Sequence, residues 1–110
     1  MIGLIQVQST FASEADARTC ARGLVDAGIA ACVQIIGPIT SVYHWEGKAC
    51  EDAEWLCQIK ALSEQYDAIE SYLLTNHPYE TPQITAIQID AVSEGYGEWV
   101  ATTPPQQSMP

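Results

Sequence analysis

Patterned hydrophobicity in the order strand, helix, strand, strand, helix, strand predicts an α+β sandwich, one antiparallel sheet covered by two helices. Two stretches repeat apolar side chains at three- and four-residue spacing, and the stretches around them alternate apolar with polar or run β-branched. Gly28, Glu46-Gly47 and Pro78 fall between the stretches, where a turn or helix end needs them. With 110 residues, 47% of them hydrophobic, the chain forms one ordered domain, placed at residues 1–103, followed by a loose Pro-rich tail at 104–110.

Leu4-Ile5-Gln6-Val7-Gln8 is a short β-branched run and reads as the first strand. Ser13 caps the first helix, with Glu14 and Asp16 at the positive end of its dipole. Ala17, Cys20, Ala21, Leu24 and Val25 form its apolar stripe, and Gly28 supplies a left-handed cap. Cys32 to Glu46 is extended, interrupted at Gly37-Pro38 by a bulge or edge position. After a tight turn at Glu46-Gly47, Lys48 to Ala61 runs extended again, so Cys32 to Ala61 is one long hairpin. Ser63 is placed as the cap of a second helix, with Leu62, Tyr66, Ile69 and Leu73 on its inner side. Gln83 to Ala91 is the last strand, and Glu94 to Thr102 a short terminal helix around Trp99.

This order is the split βαβ, ferredoxin-like arrangement, with right-handed crossovers and both helices on one face of the sheet. Each hairpin arm exceeds the usual strand of about five or six residues, so the ribbon projects beyond what two helices can cover. Carrying Tyr43, Trp45 and Trp55, it exposes aromatic surface and unpaired edges that invite another chain. A closed homotrimer satisfies that demand. The alternative is a hairpin bent back at Gly37-Pro38 onto its own domain.

Fourteen acidic residues against four basic ones give a net charge of −10, which argues against nucleic acid and anionic membranes as partners. No apolar stretch reaches the length of a membrane span, and the start of the sequence has no positively charged leader, so the expected location is cytoplasmic. The four cysteines lack metal or redox spacing and read as small buried hydrophobes.

Asn76-His77-Pro78-Tyr79-Glu80-Thr81-Pro82 is the most informative segment. Pro78 ends the helix before it, and an imidazole, a phenol and a carboxylate sit between two prolines. His77 can ligate a divalent metal, completed by Glu80 or a neighbouring protomer, or it can bond the last carbonyls of the helix. Glu80 and Lys60 form a candidate ion pair under the Tyr79 ring, lining a pocket at a subunit boundary for a small anionic or polar ligand. Tyr43, Trp45 and Trp99 belong to the same boundary. Glu46, Glu51, Asp52 and Glu54 read as a solvated acidic face, since no calcium-loop pattern surrounds them. Neither a nucleophile with a recognisable setting nor a phosphate loop is present, so a binding protein is expected over an enzyme.

Ala30-Ala31-Cys32, Ser41-Val42-Tyr43-His44-Trp45-Glu46-Gly47-Lys48, Gln58-Ile59-Lys60 and His77-Pro78-Tyr79-Glu80-Thr81-Pro82 together resemble the divalent-cation tolerance family, CutA, in order from about Leu4 to Trp99. The resemblance implies a ferredoxin-like protomer, a stable homotrimer with strand pairing between subunits, and a link to copper and other divalent metals without an established reaction. It also implies copper ligands at a cysteine ending the first strand and at two consecutive histidines before the Pro-Tyr. Those positions here are Ser9 and Asn76-His77, so of that set only His77 remains. Loss of a thiolate and an imidazole removes the donors that favour copper. A trimeric signalling protein with a small-ligand cleft, like the nitrogen-regulatory proteins, is the other expectation.

Overall fold

Strand β1 (Leu4–Phe11) leads through helix α1 (Glu14–Asp26) into the paired strands β2 (Cys32–Trp45) and β3 (Lys48–Leu62). A 3₁₀ turn (Ser63–Gln65), helix α2 (Tyr66–Asn76), strand β4 (Thr85–Ile89) and helix α3 (Glu94–Ala101) follow. This is a computed structural model that describes residues 3–102; the tail expected at 104–110 lies outside them. The sheet is antiparallel throughout, in the order β2-β3-β1-β4, so the ferredoxin-like arrangement holds.

Local signals account for most boundaries. Ser13 Oγ accepts the Asp16 N–H at 3.1 Å, and Gly28 adopts φ 72° just past the end of α1. Glu46 at φ 51° and Gly47 at φ 77° form the hairpin turn, where positive φ at both residues matches the twist of the strands. The expected bulge appears as a break in the β2–β3 register between Ile36 and Ile39.

Several features differ from expectation, beginning with β1, which runs on past Gln8 to Phe11. Ser63 does not cap α2: its N–H still bonds the Gly3 carbonyl at 2.9 Å, which prolongs the β1–β3 pairing and delays the helix to Tyr66. The Gln65 side chain instead accepts the Leu62 N–H at 2.9 Å. The last strand is five residues long, from Thr85 to Ile89, rather than the run from Gln83 to Ala91. Of the four cysteines, Cys20 and Cys57 are buried, and burial pushes their thiols up to about 11 and about 12. Cys32 and Cys50 are only half-buried.

The core lies between the sheet and the first two helices. Ile5, Val7 and Phe11 of β1 and Cys57, Ile59 and Ala61 of β3 alternate inward and meet Ala17, Cys20 and Leu24 of α1 and Ile69 and Leu73 of α2. Helix α3 stands apart from this core: it packs against β3, and Val100 is fully buried outside the main cluster.

β1 reaches only to Phe11 opposite Trp55. Beyond it, Ile39–Trp45 and Lys48–Glu54 continue as a two-stranded ribbon, about 23 Å long at the usual strand rise. The ribbon draws the molecule out to 45 × 26 × 23 Å. Toward its end Val42 is 68% and Trp45 63% exposed. Trp55, expected on the bare ribbon, instead lies half-buried against the core, with its ring over the backbone of Gly37. Among the described residues no helix is long and apolar enough to cross a membrane.

Candidate functional site

Pro78 forces the residue before it out of the helix, and His77 takes φ −73°, ψ 135° while its N–H closes the last turn on the Leu73 carbonyl at 2.8 Å. That turns its side chain under the sheet, where it is buried beside Phe11. The Nε2 atom lies 2.8 Å from the Thr10 carbonyl, and Nδ1 accepts the Tyr79 N–H at 3.0 Å. These partners fix the neutral tautomer with its proton on Nε2, since a carbonyl needs a donor and an N–H an acceptor. Burial lowers the affinity of the imidazole for a second proton, opposed in part by the Thr10 bond and by the charges of Asp16 and Glu54.

Sheet geometry explains why Thr10 needs this partner. The Gly3–Ser63 bond sets the odd residues of β1 toward β3, so the Thr10 carbonyl points to the β4 edge. Thr85 is opposite Gln8, and continuing that register would place Gln83 opposite Thr10. β4 does not extend that far, and the His77 imidazole takes the carbonyl instead.

Tyr79 tilts against His77 with ring centroids 4.8 Å apart and donates its hydroxyl to Glu54 Oε2 at 2.6 Å. Glu54 is 9% exposed, so the expectation of a solvated acidic face fails at this residue. Two residues earlier on the same face of β3, Asp52 accepts the Tyr43 hydroxyl. Burial and then the Glu54 bond push the Tyr79 phenol well above its ordinary range. The Asp52 bond is the main cause pushing the exposed Tyr43 phenol to about 12. Two phenols thus face two carboxylates along the ribbon, Glu54 at its root and Asp52 two residues toward its tip.

The remaining candidates fall elsewhere. Lys60 does not pair with Glu80: its Nζ donates to Gln34 Oε1 at 2.7 Å, and Glu80 is exposed. Among the described residues the ion pair present is Arg18–Glu14, at 3.1 Å. Lys60 is six residues along β3 from Glu54, about 20 Å away, so Tyr79 cannot cover it within one chain. Trp99 tilts against Tyr96 with ring centroids 5.7 Å apart, and Tyr96 reaches Cys32, the register partner of Lys60. Trp45 is at the ribbon tip. One chain therefore brings Tyr43 and Tyr79 together, with Trp45 two residues beyond Tyr43 on the same strand, and keeps Lys60 and Trp99 away from them.

The donors at the expected copper positions do not fit that metal. Ser9 is fully buried and its Oγ has no hydrogen-bond partner. The Asn76 amide donates to the Tyr72 carbonyl at 2.9 Å. With both His77 nitrogens engaged, the set offers a hydroxyl, a tied amide and no free imidazole lone pair. Among the described residues no three His, Cys, Asp or Glu side chains are grouped to hold an ion.

Sequence reasoning missed Glu54 and Phe11 as members of the site. Glu54 alternates with the core residues of β3 like any outward position, and only the fold brings it to Tyr79.

A family model described as CutA1 divalent ion tolerance protein matches residues 5–103. The Xenopus laevis protein named Protein CutA homolog is 40% identical over 90 residues, which span 82% of this chain and 60% of that protein. The Divalent-cation tolerance protein CutA of Thermus thermophilus is 36% identical over 91 residues, 83% of this chain and 88% of that one. In structure, CutA1 from Oryza sativa superposes with a TM-score of 0.91 at 32% identity, covering 96% of this chain and 97% of that chain. By sequence and by fold, the chain belongs to the CutA1 divalent ion tolerance family.

Proposed function

We propose that this protein is a homotrimer that takes part in the response to divalent cations, copper among them, by holding ions or a small ligand between subunits and without catalysing a reaction. The observation that carries this reading is the bare ribbon, with Val42, Tyr43 and Trp45 at 68%, 42% and 63% exposure on a chain of this family. Aromatic surface on an unpaired two-stranded edge calls for cover, and a ring of three provides it symmetrically. The non-catalytic reading is supported by His77 and Glu80, the pair that an acid–base reaction would use as base and orienter: one has both nitrogens engaged and the other is exposed. Four free thiols favour a reducing, cytoplasmic location.

A small-ligand cleft is the second reading. The carboxylates of Asp52 and Glu54 stand without a cationic partner among the described residues, and Lys60 and Trp99 can approach them only from another copy. Native mass spectrometry of the full chain with copper, zinc and manganese distinguishes the two. A trimer with saturable uptake of ions supports the metal role. A trimer that takes up none refutes it and leaves the cleft, to be screened with small anionic metabolites.

A further inference from the structure

We propose that the corner formed by Ser9, Asn76 and His77 is closed to copper in this chain and acts as a clasp that holds the end of α2 on the edge of β1. The inference rests on the family reading only in the choice of these three positions.

A metal reaching His77 has to displace either the Thr10 carbonyl from Nε2 or the Tyr79 N–H from Nδ1, each at hydrogen-bond distance. His77 is 8% exposed and its ring lies against Phe11, so it cannot swing outward without opening the corner. Neither neighbour offsets that loss. A serine hydroxyl stays protonated near neutral pH and cannot stand in for a thiolate, and the Asn76 nitrogen is a donor already bound to Tyr72. The clasp has a positive role as well, because it completes the β4 edge of β1 where Gln83 would otherwise pair.

The test is long-range proton–nitrogen correlation NMR on the full chain labelled at histidine, titrated with zinc chloride. His77 is expected to show a protonated Nε2 and an accepting Nδ1, and both signals are expected to stay in place through stoichiometric zinc. Movement of either nitrogen to a metal-bound position overturns the proposal. In parallel, native mass spectrometry compares wild type with His77→Gln in copper and zinc. Equal ion counts per chain support the clasp, and a loss of one ion per chain contradicts it. If the His77→Gln variant does not fold, the NMR titration of the wild type decides alone. Ion uptake with a silent His77 leaves both readings standing, no uptake at all refutes the metal role alone, and a shifted His77 refutes the clasp alone.

Discussion

The His77 imidazole lies flat on the Phe11 ring, with centroids 4.2 Å apart and planes 15° from parallel. Stacking on Phe11 and the hydrogen bond to the Thr10 carbonyl join the end of α2 to the end of β1, 66 and 67 residues apart in sequence, while the Tyr79 N–H holds the other ring nitrogen. Replacing His77 with Ala leaves the Thr10 carbonyl and the Tyr79 N–H without partners in a closed site. The expected cost is about 2–3 kcal/mol, read from the midpoint shift in urea unfolding. An unchanged midpoint would show that the corner contributes nothing to the fold.

The same residue gives stability a pH dependence of known sign. Burial holds the folded-state pKa of His77 below its ordinary 6.5, so the unfolded chain takes up the proton first as pH falls. Stability therefore declines from about pH 7 downward, until the folded state also protonates, and His77 contributes no slope above that range. Protonation also puts a donor on Nδ1 facing the Tyr79 N–H. Unfolding of wild type and His77→Gln between pH 5 and 8 checks this: the variant should lose part of the acid-side decline. Identical profiles would exclude His77 as its source.

Tyr79 and Glu54 should be energetically coupled. Removing the phenol hydroxyl in Tyr79→Phe leaves a 9%-exposed carboxylate without its donor, at an expected cost of about 1–3 kcal/mol. In the Glu54→Gln background the same change should cost less, because the uncharged amide is less demanding to leave unpaired. A double-mutant cycle by chemical denaturation measures the difference, and additive costs would deny the interaction.

At the ribbon bulge, a Cβ added to Gly37 would stand 2.7 Å from Trp55 Cγ, so the indole has to move. Gly37→Ala is expected to destabilise by about 1–3 kcal/mol and to alter the near-ultraviolet circular dichroism. A full retention of both would place Trp55 elsewhere in solution.

Ser9 Oγ is buried without a partner, which predicts that Ser9→Ala is neutral or stabilising by about 1 kcal/mol in the same assay. A marked destabilisation would reveal a hydrogen bond the structure does not contain.

Features encoded within a few residues were readable from sequence. Ser13 and Asp16, Gly28 and the Glu46-Gly47 turn each depend on neighbours no more than four positions away, and the Gly37-Pro38 bulge is announced by its own two residues. The site was only partly readable because its bonds span long separations. Tyr79 reaches Glu54 across 25 positions and Lys60 reaches Gln34 across 26, and no local pattern distinguishes those partners from Glu80. Ser63 misled for a related reason: its residue type suits a helix cap, but the sheet claims its N–H first.

The bare aromatic ribbon makes assembly the point on which the functional reading turns. Sedimentation equilibrium of the full chain across a micromolar dilution series measures it directly. One species of about 36 kDa, three times the 12.0 kDa chain, is the expected result. A folded, soluble species at the mass of a single chain would contradict it.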